Sequence, residues 1–391
     1  MRGLRDAKLE GQRILMRVDF NLPMDKAGDI IDDSKMRAAL PTIKYVLSKG
    51  GRLILMTHLG RPKGGADPKY TLKKLAVHLG LLLEIPVLMM DDCVGEKVEE
   101  ASRSLANGSV MMLENLRFHK GEEENDTAFA QQLAALGDIY VNDAFGTAHR
   151  AHASTAGVAN YLPTYAGFLM ENEVKMLDSV LESPECPRMG ILGGAKVADK
   201  LGLIDNLLGK LDIILIGGGM ANTFLKAQGK KIGKSLCEDE LLDEASRLLE
   251  KARDKKVRLL LPVDVVLAEE ISPTAQTRVV SVDEVPDNMM ILDIGPRTVE
   301  IYIQEIMKAH TVIWNGPMGV YEYEPFASGT RQVTKAVAAS SAVSVIGGGD
   351  SAVAVHDMGL EKEITHISTG GGATLEYLEG IKLPGVVVCG L

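Results

Sequence analysis

What most restricts this chain is a rhythm: short runs of aliphatic and β-branched residues recur from end to end, separated by stretches with helical spacing. In the N-terminal half the runs are Arg13–Phe20, Arg52–Thr57, Val110–Leu113 and Ile139–Val141. Between them lie the helical stretches Ser34–Lys49, Leu72–Leu83 and Asp126–Leu136. The second half repeats the habit at Met189–Leu192, Ile213–Ile216, Arg258–Leu261, Met290–Asp293, Val312–Trp314, Val343–Ile346 and Ile364–Ser368. Strands this apolar are covered on both faces, and alternation of strand with helix predicts parallel sheets flanked by helices. A chain of 391 residues outgrows one hydrophobic core. The expected fold class is therefore α/β, with two doubly wound parallel-sheet (Rossmann-like) domains joined by a hinge helix. A helical stretch, Glu171–Leu181, runs into Ser183-Pro184-Glu185-Cys186-Pro187, so 171–187 is the expected hinge, between domains at 1–170 and 188–382.

In open α/β sheets ligands bind beyond the carboxyl ends of the strands, so the residues after each run are the informative ones. In the first half these are Asp19-Phe20-Asn21, His58-Leu59-Gly60-Arg61-Pro62, Glu114-Asn115-Leu116-Arg117-Phe118 and Asn142 through Arg150. Three of the four deliver an arginine, whose guanidinium matches phosphate and carboxylate oxygens in a bidentate fork. A single arginine would read as surface charge. Three arriving at one sheet edge read as a pocket for a small polyanion. In the second half the exits carry glycine instead: Gly193-Gly194-Ala195-Lys196, Gly217-Gly218-Gly219, Asn315-Gly316-Pro317, Gly347-Gly348-Gly349-Asp350-Ser351 and Gly370-Gly371-Gly372. Glycine admits close backbone approach, and the helix that follows offers free N–H groups to phosphate. Lys196 and Lys200 add point charges, and Asp350 is a candidate ligand for Mg²⁺ carried by that phosphate.

The charge balance, 43 basic against 53 acidic residues for a net −10, argues against a nucleic-acid or membrane partner. Met1–Asp6 lacks the apolar core of a signal peptide, and no run approaches a membrane span. Cys93, Cys186, Cys237 and Cys389 are scattered without a CxxC and read as free thiols, so a cytoplasmic protein is expected. Two glycine motifs mislead. Gly229–Ser235 is one residue short of a phosphate-loop spacing, and Gly347–Ala352 fits a dinucleotide fingerprint too short to weigh. The latter is all that supports a nicotinamide-dependent dehydrogenase. A non-catalytic, two-lobed sugar-phosphate binding protein is the other alternative, and the lysines of the second lobe argue against it.

Read together, the motifs resemble phosphoglycerate kinase over nearly the whole chain. The carriers are Arg17-Val18-Asp19-Phe20-Asn21-Leu22-Pro23, Thr57-His58-Leu59-Gly60-Arg61-Pro62, Leu113 to Phe118, Asp143 to Arg150, the Gly193 segment, Trp314-Asn315-Gly316-Pro317 and Ser368 to Gly372. The resemblance implies reversible phosphoryl transfer between 1,3-bisphosphoglycerate with ADP and 3-phosphoglycerate with MgATP, and the complete two-domain pattern suggests a monomer. It further implies that Asp19, Asn21, His58, Leu59, Gly60, Arg61, Arg117 and Arg150 hold 3-phosphoglycerate in the N-terminal domain. For the nucleotide it implies Gly193, Lys196, Lys200, Gly217, Asn315, Pro317, Glu322 at the ribose, and Gly348, Gly349, Asp350 and Ser351 at the phosphates and metal. The residues 383–391 resemble a tail that packs back on the N-terminal domain. The sequence departs from the family at two places. Ser351 stands where threonine is usual. Lys35 stands where the family has its catalytic arginine, so the candidates for that role are Lys35 and, two residues on, Arg37. With Lys196 and the N–H groups near Gly371 and Gly372, Lys35 is expected to neutralise the transferring phosphoryl group.

Overall fold

The computed structural model describes residues 2–183 and 185–390. Packing divides it into two units, one of 1–174 with 382–391, the other of 175–381. The first division falls inside the helix Phe168–Leu181, within the expected hinge segment. Of that segment, Pro184 lies outside the described residues, as does Leu391 of the tail.

The N-terminal unit is built on β1 (Arg13–Arg17), β2 (Arg52–Met56), β3 (Val87–Met89), β4 (Val110–Met112), β5 (Ile139–Asn142) and β6 (Thr164–Ala166). They pair in parallel in the order β3-β4-β2-β1-β5-β6. Successive residues of a strand face opposite sides, and the cores follow that rule. Ile14, Met16, Leu53 and Leu55 join one buried cluster with Met36, Ile43 and Leu75, while Leu15, Ile54 and Tyr140 join another with Phe129 and Leu133. The run expected to reach Phe20 leaves the sheet after Arg17, and the Phe20 N–H is taken by Thr57 Oγ1 at 2.9 Å.

The second unit contains β7 (Arg188–Leu192), β8 (Ile213–Ile216), β9 (Arg258–Leu260), β10 (Asp264–Ala268), β11 (Arg278–Ser281), β12 (Met290–Ile294), β13 (Thr311–Asn315), β14 (Val343–Gly347) and β15 (His366–Ile367). Six of these form a parallel sheet in the order β15-β14-β13-β7-β8-β9. The run at Met290–Asp293 corrects the expectation of parallel strands throughout. It is β12, paired antiparallel to β10 in a separate three-stranded sheet, β11-β10-β12. An apolar run records burial but not the direction of its neighbour.

In both parallel sheets the strand order reverses direction, at β1/β5 in one and β7/β13 in the other. A crevice opens at such a switch point. The exits of β1, β2, β4 and β5 surround the first, and those of β7, β8, β13 and β14 surround the second.

Residues 382–390 return to the N-terminal unit. Gly385 N–H donates to the Ala148 carbonyl at 2.8 Å, Asn142 Nδ2 to the Gly385 carbonyl at 3.1 Å, and Arg2 N–H to the Cys389 carbonyl at 2.8 Å. A side chain on Gly385 would lie 2.8 Å from the Ala148 Cα, so glycine is what lets the two backbones meet.

Candidate active site

The exits of β1, β2, β4 and β5 enclose a cavity of about 210 Å³ lined by Asp19, Asn21, Lys35, His58, Gly60, Arg61, Arg117, Gly146, Thr147, His149 and Arg150. Four cations thus face one carboxylate. That carboxylate, Asp19, is engaged by Lys35, whose Nζ lies 2.8 Å from Oδ2. Neither Arg61 nor Arg150 meets a carboxylate among the described residues; Arg61 is exposed, and Arg150 Nε donates to His149 Nε2 at 3.2 Å. Such a site has surplus positive charge available for a polyanion.

Arg117 sits in a 3₁₀ turn that opens on Asn115, whose Oδ1 accepts the Arg117 N–H at 3.1 Å. Asn115 also ties down the neighbouring exit, since its Nδ2 donates to the Leu59 carbonyl at 2.8 Å and its Oδ1 accepts the Leu59 N–H at 3.3 Å. Gly60 joins three exits: its N–H donates to Asn21 Oδ1 at 2.9 Å and its carbonyl accepts from Arg117 at 2.8 Å. It does so at φ +62°, and an added Cβ would lie 2.3 Å from the Tyr70 ring. Leu59, expected at the ligand, turns its side chain into the core, which leaves its backbone as the part that can reach a ligand.

Behind the cavity wall lies a buried polar chain that the strand-exit argument passed over. Arg17, the last residue of β1, is only 1% exposed. Its guanidinium donates to Ser154 Oγ at 2.8 Å and to the Val18 carbonyl, and lies 3.0 Å from His58 Nδ1. Ser154 Oγ donates in turn to Glu122 Oε1 at 2.5 Å, and its N–H to Oε2 at 3.0 Å. A guanidinium only donates, so His58 Nδ1 accepts and the ring proton sits on Nε2. Burial, reinforced by the charges of Arg17, Arg117 and Lys35, holds the His58 pKa well below the usual imidazole value. His58 is therefore a neutral donor at neutral pH. Burial raises the Glu122 carboxyl, with Arg17 as the largest opposing influence. A positive residue closing an apolar strand run was the sequence signal for Arg17, and only burial distinguishes it from a surface charge.

The structure separates Lys35 from Arg37. Both lie in the first turns of the helix Ser34–Ser48, but Lys35 lines the cavity. Arg37 turns away, its Nε 2.8 Å from Asp33 Oδ1 in a pair where the arginine is 59% exposed. Asp33 also holds His78 Nε2 at 2.8 Å.

In the other unit, glycines at the exits divide into two kinds. Gly193 and Gly217 are packing positions: a Cβ would fall 2.0 Å from the Pro317 carbonyl in one case and 2.5 Å from Met318 Sδ in the other. Gly194, Gly349 and Gly371 have open space above them. Gly348 (φ +97°) and Gly371 (φ +53°) immediately precede the helices Gly349–Asp357 and Gly372–Leu378. Lys200 is buried and crosses the switch point, its Nζ hydrogen-bonded to Asn315 Oδ1. Burial lowers its pKa, with Asp199, Asp350 and Glu379 opposing. Asn315 Nδ2 donates to the Gly347 carbonyl at 2.8 Å, and the Gly316 N–H to Ser351 Oγ at 2.7 Å, so Ser351 keeps the exits of β13 and β14 together. Pro317 is buried, whereas Lys196, Glu322, Asp350 and Gly372 are exposed.

The family model for phosphoglycerate kinase matches residues 4–381. This chain belongs to the phosphoglycerate kinase family. It is 55% identical over 383 residues to the phosphoglycerate kinase of Herpetosiphon aurantiacus, covering 98% of this chain and 97% of that one. With the phosphoglycerate kinase of Rubrobacter xylanophilus it shares 56% over 387 residues, covering 99% and 97%. The solved structure of phosphoglycerate kinase from Coxiella burnetii superposes with a TM-score of 0.91 at 42% identity, covering 99% of this chain and 98% of that one. The chain is thus a kinase with a carboxyl group as acceptor. It moves a phosphoryl group reversibly from 1,3-bisphosphoglycerate to ADP, giving 3-phosphoglycerate and ATP in glycolysis and the reverse in gluconeogenesis. No helix among the described residues is long and apolar enough to cross a membrane.

Proposed function

We propose that the basic cavity of the N-terminal unit holds 3-phosphoglycerate and that the glycine-bearing exits of the other unit hold MgATP or MgADP. The observation that carries this reading is the four-to-one excess of cations over carboxylate around a single small cavity. Arg61, Arg117 and Arg150 supply forks for the phosphate and carboxylate, His58 donates from Nε2, and Asp19 and Asn21 accept from the hydroxyl. Lys35 takes the place of the family's catalytic arginine as a point charge aimed by Asp19.

On the nucleotide side, Lys196 and Lys200 neutralise the phosphates, and the helix starts at Gly349 and at Gly371–Gly372 offer them backbone N–H groups. Gly193, Gly217, Asn315, Pro317 and Ser351 shape the floor beneath, and Glu322 takes the ribose. Asp350 would hold Mg²⁺. It is a single exposed carboxylate in the first turn of its helix, with no ion pair among the described residues. One carboxylate plus phosphate oxygens suits an ion that arrives with its nucleotide, and the bound ion would offset charge on the phosphates.

The acceptor oxygen is already anionic, so no general base is required. Catalysis then rests on in-line alignment and on charge offset by Lys35, Lys196 and the N–H groups. With the substrates on separate units, transfer follows closure about 171–187, and water is excluded as it closes. A monomer acting in the cytoplasm, with no nucleic acid or membrane partner, fits the net charge and the glycolytic role.

Calorimetric titration tests the assignment. Arg61→Ala should weaken 3-phosphoglycerate at least tenfold and leave ADP within twofold, and Lys200→Ala should do the reverse. Equal losses for both ligands in both variants would break the assignment of one substrate to each unit.

A further inference from the structure

Outside the substrate cavity, three side chains of metal-binding type converge in the N-terminal unit. Asp92 and Cys93 follow β3, the edge strand, and His119 follows the turn that carries Arg117. Their ligand atoms all lie within 4.8 Å of one another. The His119 Nε2 is 2.6 Å from Asp92 Oδ1, and Cys93 Sγ donates to the Glu114 carbonyl at 2.9 Å. The His119 ring is stacked on Phe129 with centroids 5.0 Å apart, which fixes its plane. Asp92 is exposed and His119 half-buried, so an ion can enter from their side, while the sulfur forms the closed floor.

We infer that Asp92, Cys93 and His119 form a binding site for a soft divalent transition ion of the zinc class, separate from the substrate and nucleotide sites. The donor set argues for that class. One sulfur, one imidazole nitrogen and one carboxylate oxygen match zinc's preferences, whereas Mg²⁺ takes oxygen alone. Zinc–sulfur and zinc–nitrogen bonds of about 2.3 and 2.0 Å put neighbouring ligands roughly 3.5 Å apart, so the 2.6 Å His119–Asp92 pair must open while atoms lying up to 4.8 Å apart draw in around the ion. The Glu114 carbonyl, already in contact with the sulfur, is placed to be the fourth ligand; water is the other choice.

The chemistry sets a proton cost. Cys93 must lose its thiol proton to solvent, and any proton on His119 Nε2 must move to Nδ1 or leave. Burial holds the Cys93 thiol well above its ordinary pKa, and the charges of Asp92, Glu122 and Glu114 push it further the same way. A divalent ion reverses that balance, and affinity rises with pH. The spacing of these residues carries no motif, because His119 comes from a different strand exit. Only the fold brings it beside Cys93. Occupancy would also grip the segment 114–119 from behind, the same segment that presents Arg117 to the substrate cavity.

The test uses the full chain without an affinity tag. Equilibrium dialysis against Zn²⁺ should give one ion per chain. Co²⁺ substitution should produce the near-ultraviolet charge-transfer band of a cobalt–thiolate bond. Cys93→Ser should abolish that band, and His119→Gln should weaken Zn²⁺ at least tenfold, a typical cost of disturbing a ligand set. Should Cys93→Ser fold poorly, the His119→Gln dialysis and the wild-type cobalt spectrum decide. Absence of a thiolate band in the wild type, or wild-type zinc affinity in His119→Gln, overturns the site.

Discussion

Replacing Arg17 by methionine isolates the buried chain behind the basic cavity of the N-terminal unit, because methionine keeps most of the volume and removes only charge and donors. The wild-type guanidinium satisfies Ser154, the Val18 carbonyl and His58, and it is the largest favourable influence on the Glu122 carboxylate. Glu122 is fully buried, so without Arg17 it keeps its two hydrogen bonds from Ser154 but loses the largest charge that offsets its burial. Breaking a direct buried charge pair costs about 3–5 kcal/mol; Arg17 reaches Glu122 through Ser154, so the expected loss at pH 7 is at the lower end, about 3 kcal/mol. Glu122→Gln in the same background should recover about half of it, giving a double-mutant coupling of roughly 2 kcal/mol.

The pH dependence has a definite sign. The folded pKa of Glu122 lies above the unfolded value of about 4.3, so ionising it costs stability as pH rises through that interval. Removing Arg17 moves the folded value higher still. The loss should therefore be larger at pH 7 than at pH 5. Native-state hydrogen exchange of the β1 and β5 amides reads the N-terminal unit directly and avoids assuming that both units unfold together. A loss below 1 kcal/mol, or one equal at both pH values and untouched by Glu122→Gln, would refute the charge-compensation argument.

Three further variants probe the cavity wall and the helix that borders it. Gly60→Ala demands a left-handed alanine, costing about 1–2 kcal/mol, and drives a methyl group into the Tyr70 ring. It should shift Asn21 and Arg117 together and raise KM for 3-phosphoglycerate about tenfold while KM for ATP stays level; steady-state kinetics with each substrate varied would check this. Lys35→Ala should lower kcat by about 10²-fold or more, as for loss of one preorganised transition-state donor. Arg37→Ala should leave kcat within twofold, and the opposite ranking in stopped-flow turnover would give the role to Arg37.

The architecture was readable because its strands are buried on both faces, and continuous runs such as Ile213–Ile216 mark such strands plainly. β3 and β6 escaped notice for different reasons. Both are three-residue edge strands; Val87–Met90 is apolar but follows the Leu81–Leu83 helix end after only three residues, and Thr164–Ala166 offers no apolar run. At the site, strand exits led directly to Asn21, Arg61, Arg117 and Arg150. They could not show that the Leu59 side chain faces the core, or that Gly193 lies against the Pro317 carbonyl and Gly217 against the Met318 side chain. Lys35 and Arg37 looked interchangeable as charges. What separates them is Asp33, four residues before Arg37 at the N-cap of the same helix, which captures the arginine at the surface.

The return of residues 382–390 to the N-terminal unit bears on how the protein is made. On the ribosome, Gly385 emerges only after the whole of 175–381 has been synthesised. Until then Asn142 and Ala148 lack their partners at the end of β5, and Arg2 waits for the Cys389 carbonyl. The first unit to be translated is thus the last to be completed. Its neighbour, contiguous in sequence, has all its own strands in hand earlier. A chain stalled before residue 382 would carry all of the 175–381 unit and an N-terminal unit still lacking its closing segment.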